Sequence, residues 1–244
     1  MTDLPHGELL TARQLRAAWK PTKEALVKEG RAEGLRIRVH RACGAIGQAE
    51  SLEAVGEASS NDAALVFRWV ALNALYGRWD GERGAPVPDR RALDSFTSEA
   101  ARVDSSGRLG STLAELREEA RSLLESPFLI ERFWSDQEWD RVRPQRGRAA
   151  KFGGEVVEKR TGAAMHRLLI SVYFLRCQLV HGGATLGSSM NREVVEPGSR
   201  VLALATGQLA ALVIEHGTEM KWGEVCYPPV RKGAGSDPTS QVGR

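Results

Sequence analysis

An arginine and a histidine stand five positions apart in Leu175-Arg176-Cys177-Gln178-Leu179-Val180-His181-Gly182-Gly183. A guanidinium fork matches two phosphate oxygens at once. An imidazole, with an ordinary pKa near ~6.5, gains and loses protons close to neutrality. One residue could therefore hold a phosphodiester while the other moves protons on it. On a continuing helix, five steps of about 100° would leave the two roughly 140° apart, too far round to share a ligand. Gly182 and Gly183 change this, because glycine is the usual residue for a left-handed helix end. A helix that stops at His181 frees the imidazole to turn toward the arginine or toward a second subunit.

Spacing alone is weak. In a chain with 27 Arg and five His, such a pair arises by chance about half a time. Arg160 and His166 form a similar pair but straddle a helix start at Gly162 and lack an apolar frame. Arg176 and His181 end a strongly apolar helix expected over Gly162–His181. Leu168, Val172, Leu175 and Leu179 form its core stripe. Leu169, Tyr173 and Val180 form a second stripe, and Arg176 falls among them. An arginine on an apolar stripe either snorkels at an edge or is held for a purpose. Two stripes predict one face in a core and another against a partner.

The elements that must position this helix follow from periodicity and caps. Thr11-Ala-Arg-Gln14 is a capping box opening a short helix through Trp19. Pro21 follows, and Thr22 offers the next start. Leu35, Val39, Ala42, Ile46, Ala49 and Leu52 step by three or four and predict a helix ending near Gly56. Within it, His40 sits among Arg36, Arg38 and Arg41 and reads as a solvated face. Asn61 or Asp62 caps a helix over Ala63–Gly77. Its stripes, Leu65, Trp69, Leu72 and Tyr76 beside Val66, Val70 and Asn73, predict burial in the middle of a bundle. Asn73 would then be a buried amide in need of partners, a structural or site-supporting residue. Residues 78–110 read as an inserted loop region with a short helix over Asp89–Val103. Thr112-Leu-Ala-Glu115 is a second capping box, opening a helix that ends before Pro127. From Arg141 to Lys151 five basic residues (Arg141, Arg143, Arg146, Arg148 and Lys151) occur without an acidic one. They form a loop or arm, either a phosphate-contacting segment or a solvated connection. A last helix is expected from Gly198 or Ser199 to His216. The stretch from Trp222 to Pro229 is extended, and 231–244 reads as disordered.

The expected fold is all-α: an antiparallel helical bundle with an inserted loop/helix region and an extended C-terminal tail. Residues 1–30 form a helical extension and 31–220 the bundle, with an insertion at 78–110 and a basic connection at 141–161. The tail is 221–244. Hydrophobic content of 42% and charged content of 27% are those of an ordinary soluble domain. A net charge of +3 permits nucleic acid without demanding it, and the excess of Arg over Lys has a bland source in a GC-rich genome. Cys43, Cys177 and Cys226 lie far apart with no CxxC pair, which predicts no zinc site or disulfide framework and fits a reducing cytoplasm. No uninterrupted apolar run approaches ~18 residues, so no membrane span is expected. No carboxylates or thiols cluster as metal ligands, so no cofactor or metal is expected.

Phe174-Leu-Arg-Cys-Gln-Leu-Val-His-Gly-Gly183 resembles the signature of the HEPN superfamily, an Arg, four to six residues, and a His at a helix end. Trp69-Val-Ala-Leu-Asn-Ala-Leu-Tyr-Gly77 looks like an upstream helix of its Apea-like members. The resemblance covers about residues 30–220 and implies a bundle of four or five helices, paired as a homodimer whose two motifs meet in a shared cleft. It further implies a metal-independent endoribonuclease of phage-defence, toxin–antitoxin or RNA-processing systems, with an antitoxin or regulatory protein as a further partner. Carried over, Arg176 would bind the scissile phosphate. His181 would act as general acid/base, giving cyclic phosphate and 5′-hydroxyl ends. Tyr173, Cys177, Gln178 and Asn73 would support the site. Cys177 departs from the pattern, since the residue after the arginine is commonly polar and a thiol is a poor hydrogen-bond partner. That leaves a non-catalytic nucleotide- or RNA-binding module, or a helical scaffold whose Arg176 and His181 satisfy buried acceptors, as the competing readings.

Overall fold

The computed structural model describes residues 4–130, 146–181, 187 and 192–228, with only the backbone of Arg192. Among these the chain is an all-α bundle with one small sheet. The helices are α1 (Ala12–Lys28), α2 (Glu33–Glu53), α3 (Ala58–Tyr76), α4 (Asp89–Val103), α5 (Arg108–Glu115), α6 (Arg117–Glu125), α7 (Arg146–Val157), α8 (Thr161–Val180) and α9 (Arg192–His216). A 3₁₀ turn covers Pro127–Leu129. The strands are β1 (Arg78–Asp80), β2 (Ala85–Pro86) and β3 (Glu224–Val225), in the order β2-β1-β3 and antiparallel throughout.

The core is built around α9. Every residue from Val201 to Ile214 is buried, and the helix touches α1 to α6 and α8. A helix that is apolar all round belongs in such a place, and 83% of its most apolar window lies inside the fold. α2 and α3 pack side by side as a hairpin, α4 packs on α8, and α7 bridges α6 and α8. α1 enters the same core through Leu15, Trp19 and Leu26.

Five local expectations are corrected. α3 starts at Ala58 after Glu57 as N-cap, so Asn61 and Asp62 lie inside it rather than capping it. Pro21 does not divide α1. Pro21 and Ala17, whose carbonyl loses its partner, are both exposed, so water satisfies that group. The helix expected to open at Thr112 begins earlier, at Arg108, after Gly107 as N-cap. The Asp104 carboxylate accepts the N–H groups of Arg108 and Leu109, both at 2.8 Å, while the Thr112 hydroxyl turns back to the Arg108 carbonyl. α9 begins before Pro197 and runs through it. The Glu193 carbonyl, which Pro197 cannot bond, accepts the Ser122 hydroxyl at 3.2 Å instead. Finally, residues 146–157 form a helix, where a loop or arm was expected. Phe152 and Glu155 are buried on it, and Arg148 donates to the Ser171 hydroxyl at 2.6 Å.

Candidate functional site

α8 ends where the glycines suggested. Its last residue is Val180, and His181 is the C-cap with φ −91° and ψ 12°, its N–H bonded to the Cys177 carbonyl at 3.0 Å. His181 is exposed. Gly182 and Gly183 lie outside the described residues. Beyond them, Gly187 returns to α3, where its N–H reaches the buried Asp62 carboxylate at 2.7 Å. The backbone of Gly187 is left-handed, at φ +72°, a conformation glycine adopts without strain. Gly187 is thereby held against the first turns of α3.

Arg176 is half-buried and held by π-faces rather than by acid. Its guanidinium carbon lies 5.8 Å from the Trp69 ring centroid and 6.0 Å from that of Tyr173, within cation–π range. Its Nη1 reaches the Cys177 sulfur at 3.7 Å, a weak contact. Among the described residues it has no ion pair or hydrogen bond to oxygen. The arginine lines a groove of about 770 Å³ across the outer face of the α2–α3 hairpin, a volume within the usual ~300–1,000 Å³ of ligand sites. His40, Arg41 and Gln48 come from α2, Phe67, Val70 and Asn73 from α3, Asp89 from α4, and Cys226 and Tyr227 from the C-terminal strap.

Asn73 supports this site by fixing Asp89, the one carboxylate that lines it among the described residues. The Asn73 amide donates to the Tyr76 hydroxyl at 3.0 Å and to Asp89 Oδ1 at 3.1 Å, and Tyr76 donates to the same oxygen at 3.1 Å. Burial first, and then the neighbouring Asp89 charge, push the Tyr76 phenol well above its ordinary value, so it stays a donor. Asp89 thus faces the groove already engaged. This bears on the scaffold reading, under which a carboxylate near the motif should satisfy the arginine.

The remaining expected site residues divide. Tyr173 packs against Trp69 and Phe174, with centroids 5.9 and 5.5 Å away. Burial and the Cys177 thiol one turn away raise its pKa. Gln178 is structural: its amide donates to the Phe128 carbonyl at 2.8 Å, tying α8 to the 3₁₀ turn. Of the basic run, Arg146 and Lys151 are exposed on α7, Arg148 is engaged with Ser171, and Arg141 and Arg143 lie outside the described residues. None of the described residues of that run (Arg146, Arg148 and Lys151) lines the Arg176 groove, and neither does His181. The second stripe of α3, expected in the core, is half-buried at Val66 and Asn73 and exposed at Val70, which lines the groove together with Phe67. His40, read from sequence as part of a solvated face, lines it too. No local signal marks His40, whose neighbours in the groove come from four other segments of the chain.

Comparison with family models, curated proteins and solved structures returns no match. The functional reading therefore rests on this geometry and on the motif.

Proposed function

We propose that the protein is a metal-independent endoribonuclease of HEPN type, acting in phage defence or toxicity as a homodimer. The observation that carries this reading is Arg176, a guanidinium framed by Trp69 and Tyr173 that lines an open groove and has no oxygen acceptor among the described residues. Such a group is preorganised for a phosphate oxygen. His181 supports the reading by its position at a helix end, exposed beside the half-exposed Val180, where a second copy can bring its own motif close. In the reaction a base removes the proton of the ribose 2′-hydroxyl, and that oxygen attacks phosphorus. The bond to the 5′-oxygen breaks and the leaving oxygen takes up a proton, giving a cyclic phosphate and a 5′-hydroxyl. His181 exchanges these protons, and Arg176 stabilises the charge that develops on the phosphoryl oxygens.

A second reading, an RNA- or nucleotide-binding module without cleavage, is favoured by two observations. The polar neighbour of Arg176 is a thiol, and His181 does not line the arginine's groove within one chain. Incubation with structured and unstructured RNA in chelator separates the two. Cleavage lost in both Arg176→Ala and His181→Ala supports the nuclease, and binding without cleavage supports the module. Cleavage unchanged in both variants removes this site assignment.

A further inference from the structure

Tyr227 has two properties that folding does not require. The residue is 70% exposed, and its backbone sits at φ +50°, a left-handed conformation that costs a residue with a Cβ roughly 1 kcal/mol or more. The surroundings hold it there. Arg41 donates through Nη1 to the Cys226 carbonyl at 2.8 Å and through Nη2 to the Tyr227 carbonyl. Arg38 donates to the carbonyls of Gly223 and Glu224, and β3 pairs with β1 just before. Trp79 meets the Tyr227 ring edge-on, with centroids 5.9 Å apart and planes at 66°. An aromatic ring is thus fixed in position, against backbone strain, and still open to solvent.

Tyr227 lines the same groove as Arg176. Arg41, Arg78 and Arg176 line that groove, with Asp89 the one carboxylate beside them among the described residues, and His40 and Gln48 add polar groups along α2. Arg78 is turned to the Ser95 hydroxyl and Arg41 to the strap carbonyls, which leaves Arg176 for a phosphate. We propose that this groove binds an unpaired RNA segment within one chain, with a base stacked on Tyr227 and a backbone phosphate on Arg176. Stacking accepts any base but needs its face free, so a single strand is taken and a duplex is not. The proposal rests on RNA being the ligand of Arg176, and it adds a platform and a strand preference that the Arg/His motif does not supply.

The test is fluorescence anisotropy of the full chain with a labelled 2′-O-methyl oligouridylate of about twelve nucleotides, within the ~4–16 covered by comparable single-strand sites. The blocked 2′-oxygen prevents cleavage. A blunt RNA duplex of equal length serves as the competitor. Tyr227→Ala should weaken single-strand binding roughly tenfold, and Tyr227→Phe should restore it. Tyr227→Gly should weaken binding equally while melting no lower than wild type, since glycine relieves the strained backbone. If Arg176→Ala abolishes binding while Tyr227→Ala and Tyr227→Gly bind as wild type, the platform is wrong and the RNA reading stands. Equal affinity of the wild type for duplex and single strand also overturns the platform. If the wild type binds neither RNA, both readings fall.

Discussion

Replacing Arg38 with Met tests whether the groove is built as described. Arg38 is 1% exposed. Its Nη1 donates to the carbonyls of Leu75, at 3.0 Å, and Gly77. Its Nη2 reaches Gly223 at 3.0 Å and Glu224 at 3.3 Å, and the guanidinium carbon lies 5.1 Å from the Trp222 ring. One side chain therefore joins the end of α3 to the strap that carries Tyr227. Burial, the dominant cause, lowers its pKa to about 10, so it remains charged at neutral pH. Methionine matches the stem and removes the donors. The Gly223 and Glu224 carbonyls lie on exposed residues and recover water. The Leu75 and Gly77 carbonyls, deeper in the joint, are the ones left short. At about 1–3 kcal/mol for each unsatisfied buried group, less the guanidinium desolvation that is no longer required, the net loss is about 2–4 kcal/mol. For a chain of this size that lowers Tm by about 5–15 °C. Calorimetry measures the melt, and Trp222 fluorescence together with limited proteolysis after Lys221 reports strap release. A variant that melts with the wild type and keeps its strap protected would refute the claim that Arg38 holds this joint.

Two further predictions concern the support of α8. Glu155, with its side chain 2% exposed, accepts from Arg167 Nε at 2.8 Å and Nη2 at 2.6 Å, and this pairing holds its carboxyl below the ordinary value. A depressed carboxyl contributes stability that is complete above its unfolded pKa of ~4.3 and lost as pH falls through the folded value. Thermal melts from neutral pH into acid should therefore drop less steeply for Glu155→Gln than for the wild type, and parallel curves would exclude the linkage. At the other end of the contact between α4 and α8, a Cβ on Gly162 would stand 2.9 Å from the Thr97 carbonyl oxygen and 3.0 Å from the Ala101 Cβ. Gly162→Ala gains about 1 kcal/mol of helix propensity at most but overpacks a backbone contact at about 1–3 kcal/mol. The expected outcome is a lowered Tm, and a raised Tm would show that α8 can shift off α4.

The helices were legible because their signals are local. Leu168, Val172, Leu175 and Leu179 mark one face of α8 within a dozen residues, and the glycines mark its end. The groove was not legible, because its walls come from α2, α3, α4, α8 and the strap, which share no local pattern. Arg36, Arg38, His40 and Arg41 look alike in sequence, a charged run of the kind that faces water. Yet Arg38 is in the core, and Arg41 clamps carbonyls that are 185 and 186 residues away. What separates them is the position of main-chain acceptors, which residue types do not encode. The sheet escaped for a related reason: strands of two or three residues are too short to show alternation.

The arginine bias, weak as a statement about partners, gains meaning once each interior arginine is followed to its acceptor. Arg68 forms a two-point pair with Glu53. Arg108 holds Glu215, Gln208 and the carbonyls of Leu4 and Pro5. Arg148 has Ser171, Arg167 has Glu155, and Arg38 has four carbonyls. In each case the guanidinium is an internal fastener, and the oxygen it needs is supplied by the chain. Arg36, whose Nε is buried without a partner among the described residues, departs from this pattern, and so does Arg176. Asp89 shares its groove but is engaged by Asn73 and Tyr76, and the arginine is left with two aromatic faces and a sulfur. Among the described residues the fold supplies oxygens to those fastening guanidiniums and none to Arg176, and under the proposed function its acceptor comes from outside. For a planar cation on an open groove, that acceptor is best a phosphate.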